Sequence, residues 1–257
     1  MLKIKKILDS KDEIPERRLS KHKVIPKHPM PLIISGSTNS GKTNLVVNML
    51  TNPAMFGGES EPTNKKRNNY FDEIYVISGS CDETIRTLVD DKILEEENIM
   101  EPDVENINKI FEKQEMDVES GKKKSELDRV LIIIDDCLHE KKFLRSKELN
   151  RLITSGRHYS ISTWLLTQYL FHLSTVARAN ADMIIQFRPN WREVQILCDL
   201  FRSVNMPKKS DFIKIVNEAV MPEGEDKFPF LCISKSSPPE KMFRRNFDQY
   251  LCLSTST

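Results

Sequence analysis

Eight consecutive residues, Gly36-Ser37-Thr38-Asn39-Ser40-Gly41-Lys42-Thr43, satisfy the pattern G-x-x-x-x-G-K-[ST]. Glycines at both ends let the backbone curl closely enough to aim successive N–H groups at a polyphosphate, and a helix starting at the end of the loop adds its positive pole. In that arrangement Lys42 reaches the β- and γ-phosphates and the Thr43 hydroxyl ligates Mg²⁺. The chemistry is therefore nucleotide binding through phosphate, with ATP and Mg²⁺ as the expected ligands. The motif alone leaves the reaction open.

A second constellation narrows it. The run Arg129-Val-Leu-Ile-Ile-Ile-Asp135-Asp136 ends in two carboxylates. Asp135 suits Mg²⁺, through its waters, and Asp136 suits the polarisation of an attacking water. A third group, Gln168 after Thr167, offers a neutral amide that can sense a γ-phosphate or orient the water. His139 and His158 have no metal-type spacing with another His or Cys and are expected to be hydrogen-bonded or exposed. Trp164 and Trp191 are expected in the core or an interface.

These groups need elements to hold them. Pro31–Ser35 is a short apolar run that leads into Gly36 and reads as a buried strand, and Thr43–Leu50 reads as the helix after the loop. Further strands are expected at 72–78, 129–136, 160–167 and 183–187, with a possible last one at 228–234. Helices are expected near 83–94, 104–116, 146–155, 169–179 and 191–203. The 129–136 run is apolar on both faces, as in a central parallel strand. Strands alternating with helices give a mainly parallel sheet flanked by helices. Residues 57–69 collect loop signals and are expected to be exposed and mobile. Roughly ninety residues, the 72–78 strand among them, separate the phosphate loop from Asp135. An extra strand is therefore expected between their two strands.

That arrangement resembles the P-loop ATPases with an additional catalytic acid, which include translocases and helicases, rather than kinases and GTPases. The guanine signature Asn-Lys-x-Asp does not occur. The order Gly-Ser-Thr-Asn-Ser-Gly-Lys-Thr, Leu-Ile-Ile-Ile-Asp-Asp, Gly156-Arg157-His158 and Leu-Leu-Thr-Gln168 resembles the FtsK–HerA superfamily of DNA-pumping ATPases. The segment Thr154–Gln168 is similar to that of genome-packaging ATPases of large DNA viruses (poxvirus-like) and virophages. The resemblance covers about residues 30–190. It implies an α/β P-loop NTPase fold of RecA-like, additional-strand catalytic-acid type. It also implies a homo-oligomeric ring, double-stranded DNA and capsid or portal vertex proteins as partners, and a site of action in the host cytoplasm or the virion. In the superfamily an arginine about eleven residues before the sensor glutamine enters the neighbouring subunit's site, and Arg157 matches that position. Arg178 is the rival finger. Many members carry Asp-Glu where this chain has Asp135-Asp136, one methylene shorter at the second acid.

Charge and composition set the remaining bounds. Lys+Arg 39 against Asp+Glu 38 gives a net charge of +1, so any grip on DNA must be local. Residues 1–30 hold nine Lys/Arg and four Asp/Glu and read as an exposed basic arm, whereas residues 82–119 hold fourteen acids and four bases. Residues 141–157 are basic again. The expected organisation is the arm at 1–30, an ATPase core at 31–205, and an extension at 206–257 packed on or trailing the core. Lys65-Lys66-Arg67 and Lys122–Lys124 are pore-loop candidates, with solvated loop charge the plainer reading of each. The five cysteines lack metal or disulfide spacing and read as free thiols in a reducing interior. No run approaches the ~20 apolar residues of a membrane span. Two other functions stay open on these residues: a nucleoside or nucleotide kinase, and an ATP-binding assembly scaffold without hydrolysis.

Overall fold

The computed structural model describes residues 3–8, 24–57, 70–80, 83–137, 139–201, 208–224 and 226–254. In chain order the strands are β1 (Lys3–Leu8), β2 (Pro31–Ser35), β3 (Glu73–Ser78), β4 (Ile99–Met100), β5 (Val130–Asp135), β6 (Ile161–Thr167), β7 (Met183–Phe187), β8 (Phe230–Ser234), β9 (Phe243–Arg245) and β10 (Gln249–Ser254). The helices are α1 (Lys42–Thr51), α2 (Glu83–Asp90), α3 (Val104–Glu119), α4 (Lys141–Leu144), α5 (Lys147–Ser155), α6 (Thr175–Asn180), α7 (Trp191–Phe201) and α8 (Lys209–Val220).

The strands form one sheet in the order β1-β10-β9-β8-β7-β2-β6-β5-β3-β4. From β7 to β4 every pairing is parallel, which places the C-terminal ends of six strands along one edge. From β7 to β1 the pairings are antiparallel. The central strands alternate their side chains between two cores, as a pleated strand must. In β5, Ile132 and Ile134 belong to the core that contains Ile107, Leu149 and Phe212, whereas Leu131 and Ile133 belong to the core that contains Val46, Met49 and Leu88. Helices therefore cover both faces of the parallel part, and apolar side chains on either face hold the strands in one register.

The strand between the phosphate-loop strand and the Asp135 strand is β6, which pairs with both β2 and β5. The 72–78 run, as β3, lies on the outer side of β5. Other differences from expectation have local causes. The helix expected at 169–179 is a 3-10 turn at Leu170–His172 followed by α6, because Ser174 caps a new start by accepting a bond from the Ala177 N–H. In the segment expected to be an exposed arm, β1 pairs with β10, and Val24, Ile25 and Met30 are buried. The last 50 residues supply α8 and three strands that continue the sheet. The loop expected over 57–69 lies almost entirely outside the described residues, Lys65–Arg67 included. No helix among the described residues is long and apolar enough to cross a membrane.

Candidate nucleotide site

The phosphate loop joins β2 to α1 at the C-terminal edge of the parallel strands. The Gly36 N–H donates to the Thr167 carbonyl at 3.1 Å, so the loop begins tied to the end of the Gln168 strand. A methyl group on Gly36 would stand 2.6 Å from the Phe187 Cβ, which is room for glycine only. Gly41 has φ +95°, the left-handed turn that feeds α1. Lys42 is 9% exposed and donates to the carbonyls of Gly36 and Ser37 at 2.8 and 2.9 Å. Two of its three ammonium protons hold the loop's own shape, which leaves one for a phosphate oxygen. Burial lowers its pKa, opposed by the nearby Asp135 and Asp136 carboxylates.

Both acids of the Asp pair sit at this loop. The Thr43 hydroxyl donates to Asp135 Oδ2 at 3.5 Å, so a hydroxyl and a carboxylate oxygen stand side by side at the first turn of α1. That hard-oxygen pair suits magnesium, which takes one or two carboxylates and completes its shell with water and phosphate. Among the described residues no group of three or more His, Cys, Asp or Glu forms an all-protein metal cage. Asp136 takes φ +47°, an uncommon left-handed conformation, and its Oδ2 accepts from the Ser80 hydroxyl at 2.6 Å. Strand pairing explains the contact: Ser78 of β3 is level with Asp135 of β5, so the chain after β3 meets the chain after β5.

These groups line one cavity of about 640 Å³ with Thr38, Asn39, Ser40, Gln168, Phe187 and Phe228. The Thr167 hydroxyl shapes the turn beyond β6, accepting from the Tyr169 N–H at 3.3 Å and donating to the Tyr169 carbonyl at 3.1 Å. Cys137 also borders the cavity, but burial pushes its thiol up to about 12, so it is inert at neutral pH.

Arg157 lies elsewhere. It is exposed in the 3-10 turn Gly156–Tyr159 that precedes β6, at the opposite end of the strand from Gln168. Its charge and that of Lys235 lower the pKa of Asp182, which burial raises. Arg178 donates to the Leu170 carbonyl at 3.4 Å and to the Thr175 hydroxyl at 3.3 Å, as a brace between α6 and the 3-10 turn before it. Lys122–Lys124 are exposed ahead of β5, also at the far edge, and Lys122 pairs with Asp117. His139 and His158 are exposed. Trp164 is fully buried, and Trp191 is 59% exposed with the Lys209 ammonium 5.2 Å from its ring centre.

Two groups at the site escape sequence reasoning. Ser80 carries no signal beyond the strand pairing that brings it to Asp136. Glu193 is 2% exposed, and its carboxylate accepts from Ser35 Oγ (3.1 Å), the Leu170 N–H (3.1 Å) and the Asn190 N–H (3.0 Å). It couples the root of the phosphate loop to the turn after Gln168. Asn190-x-x-Glu193 is legible as a capping box, and the reciprocal bond from the Glu193 N–H to Asn190 Oδ1 is present at 3.0 Å. The reach to Ser35 and Leu170 is not legible.

The described fold and site have relatives. The model of the family described as poxvirus A32 protein matches residues 91–249, a span that includes Asp135, Asp136, Arg157 and Gln168 and begins after the phosphate loop. An uncharacterized protein, 015R, of Frog virus 3 (isolate Goorha) is 36% identical over 72 residues, which is 28% of this chain and 21% of the relative, so the match spans about a fifth of that relative's length. Among solved structures, the DNA-packaging ATPase B204 from Sulfolobus turreted icosahedral virus aligns over 85% of this chain and 98% of its own, at 14% identity and a TM-score of 0.51. EssC (ATPases 2 and 3) from Geobacillus thermodenitrificans aligns over 87% of this chain and 39% of its own, at 10% identity and a TM-score of 0.51. At these identities the structural likeness is one of fold.

Proposed function

Because the chain belongs to the poxvirus A32 protein family, viral packaging ATPases of FtsK–HerA type, we propose that it couples ATP hydrolysis to the movement of double-stranded DNA into a capsid. The observation that carries the hydrolytic reading is the convergence of Lys42, Thr43, Asp135, Asp136 and Gln168 on one cavity at the edge of the parallel strands. In this reading the loop N–H groups and Lys42 bind the β- and γ-phosphates, and Thr43 and Asp135 would hold Mg²⁺. When bound, that ion would supply positive charge that offsets the phosphates. Asp136, fixed by Ser80, takes the proton of the attacking water, and Gln168 orients that water. The Glu193 network fixes the Gln168 turn relative to the loop, so loss of the γ-phosphate at one is felt at the other.

Arg157 acts from a neighbouring copy of the chain in a closed ring. Its planar guanidinium bridges γ-phosphate oxygens as charge moves in the transition state. Capsid or portal proteins are the partners at the vertex, in the cytoplasm of the infected cell. Phosphate release by purified protein tests the hydrolytic part. Wild type is expected to release phosphate from MgATP, and Lys42→Ala to release none above background. Transfer of the γ-phosphate to a nucleoside would instead favour the kinase, and ATP binding without phosphate release would favour the scaffold.

A further inference from the structure

Aromatic side chains border the cavity beside the phosphate loop. Phe187 and Phe230 pack at 5.3 Å between ring centres, and Phe230 packs against Phe247 at 5.1 Å. Phe228, in the bend just ahead of β8, lines the same cavity. Its side chain, unlike those beneath it, is 59% exposed. It is also close to the phosphate loop: a methyl group on Gly41 would lie 4.0 Å from the Phe228 Cβ. Among the described residues, Trp191 is the other aromatic with that exposure, and it does not border the cavity.

The chain that presents Phe228 is held firmly. Arg245, 2% exposed, donates to the Met221 carbonyl at 2.6 Å, to the Glu218 carbonyl at 3.2 Å and to Asp226 Oδ2 at 3.0 Å. Asn246 donates a second bond to the same Asp226 oxygen at 3.0 Å, and its Oδ1 accepts from the Phe230 N–H at 3.2 Å. These bonds tether the chain on both sides of Phe228, at Asp226 and at Phe230. Leu45 and Asn48 of α1 also line the cavity, and one N–H of the Asn48 amide donates to the Asn44 carbonyl at 2.9 Å.

From this geometry we infer that Phe228 is the platform on which the base of a purine nucleoside triphosphate stacks. The inference rests on the phosphate-loop reading above. Stacking uses the π-face that every base has, so ATP and GTP are expected to bind within a few-fold of each other.

The test is competition binding of ATP and inorganic tripolyphosphate, each with magnesium, to wild type, Phe228→Ala and Phe228→Trp. The expected result is about tenfold weaker ATP binding to Phe228→Ala, unchanged tripolyphosphate binding, and wild-type ATP affinity for Phe228→Trp. Unchanged ATP binding to Phe228→Ala would overturn the platform. So would equal weakening of both ligands, which would mean that the substitution had disturbed the loop. If wild type binds neither ligand, the phosphate-loop reading falls and the platform with it. If it binds both and only the Phe228→Ala result fails, the platform alone falls.

Discussion

Arg157 gives the sharpest prediction, because its place in the fold decides which subunit it can serve. The residue precedes β6 and Gln168 follows it, so the seven residues Ile161–Thr167 stand between Arg157 and its own nucleotide cavity. At about 3.3 Å per residue that is roughly 20 Å, beyond the span of an arginine side chain. Any contact with a γ-phosphate must come from a second copy. An arginine finger in P-loop enzymes contributes about 10³–10⁵ in rate, or roughly 4–7 kcal/mol of barrier. Arg157→Ala is therefore expected to reduce hydrolysis a thousandfold or more at ring-forming concentration, with ATP binding nearly unchanged. Lys42→Ala is expected to be inactive as well. Mixing the two separates the models, since an Arg157→Ala subunit keeps its own phosphate loop and can borrow the arginine of a Lys42→Ala neighbour. In rings assembled at random from equal amounts, about a quarter of the sites are then complete, and activity should return to that order if sites fire independently. The assay is steady-state phosphate release after co-refolding or subunit exchange. No recovery on mixing would refute the trans geometry. A fully active Arg157→Ala would refute the finger altogether. Inactivity accompanied by a lowered melting temperature would make Arg157 a structural partner of Asp182.

Three further outcomes follow from the same geometry. Asp135→Asn keeps the shape beside Thr43 and removes the charge, so hydrolysis should fall on the order of a hundredfold or more while nucleotide still binds, and raised magnesium should restore part of the rate. Glu193→Ala strips the acceptor from Ser35, Leu170 and Asn190. At roughly 1–3 kcal/mol for each buried donor left unpaired, it should cost about 3 kcal/mol or more in urea unfolding, and Glu193→Gln should recover part of it. His28, whose ring nitrogens bond Ser162 and Ser160 at 2.8 and 2.9 Å, is pulled down to about 3, first by burial and then by Arg129. The unfolded chain binds this proton near pH 6.5 and the folded one does not, so the contribution is complete above 6.5 and is lost as pH falls toward 3. Between pH 6.5 and 4.5 the wild type should lose about 2–3 kcal/mol more stability than His28→Asn. Equal losses would show that His28 is not the group responsible.

The central strands were legible because their cause is local. A strand buried on both faces must be a short apolar run, and β2, β5 and β7 begin and end within a residue or so of where such runs do. The loop glycines were legible for the same kind of reason, since close backbone approach to phosphate and a left-handed φ leave few other residue types. Pairing order was not legible. Spacing suggested an extra strand between the loop and the acid, and only the fold shows that it is β6, with β3 on the far side of β5. Of the antiparallel half, β8 falls inside the run at 228–234, whereas β9, β10 and β1 were hidden because they join a sheet that already exists and their patterns are short and mixed. Lys3–Leu8 holds three lysines among its six residues and reads as an arm until β10 lies beside it. Ser80, Glu193 and Phe228 reach the site through contacts 56, 158 and about 190 residues apart in sequence, which no local pattern encodes.

The claim that joins these parts is that hydrolysis moves the motor along duplex DNA. Displacement of a third strand from a triplex at the end of a long double-stranded fragment measures that movement directly. With MgATP the wild-type ring should strip the third strand at a rate that falls as the duplex track lengthens, and Lys42→Ala or a non-hydrolysable ATP analogue should leave it in place. ATP turnover that proceeds at full rate while the triplex stays intact would contradict the account.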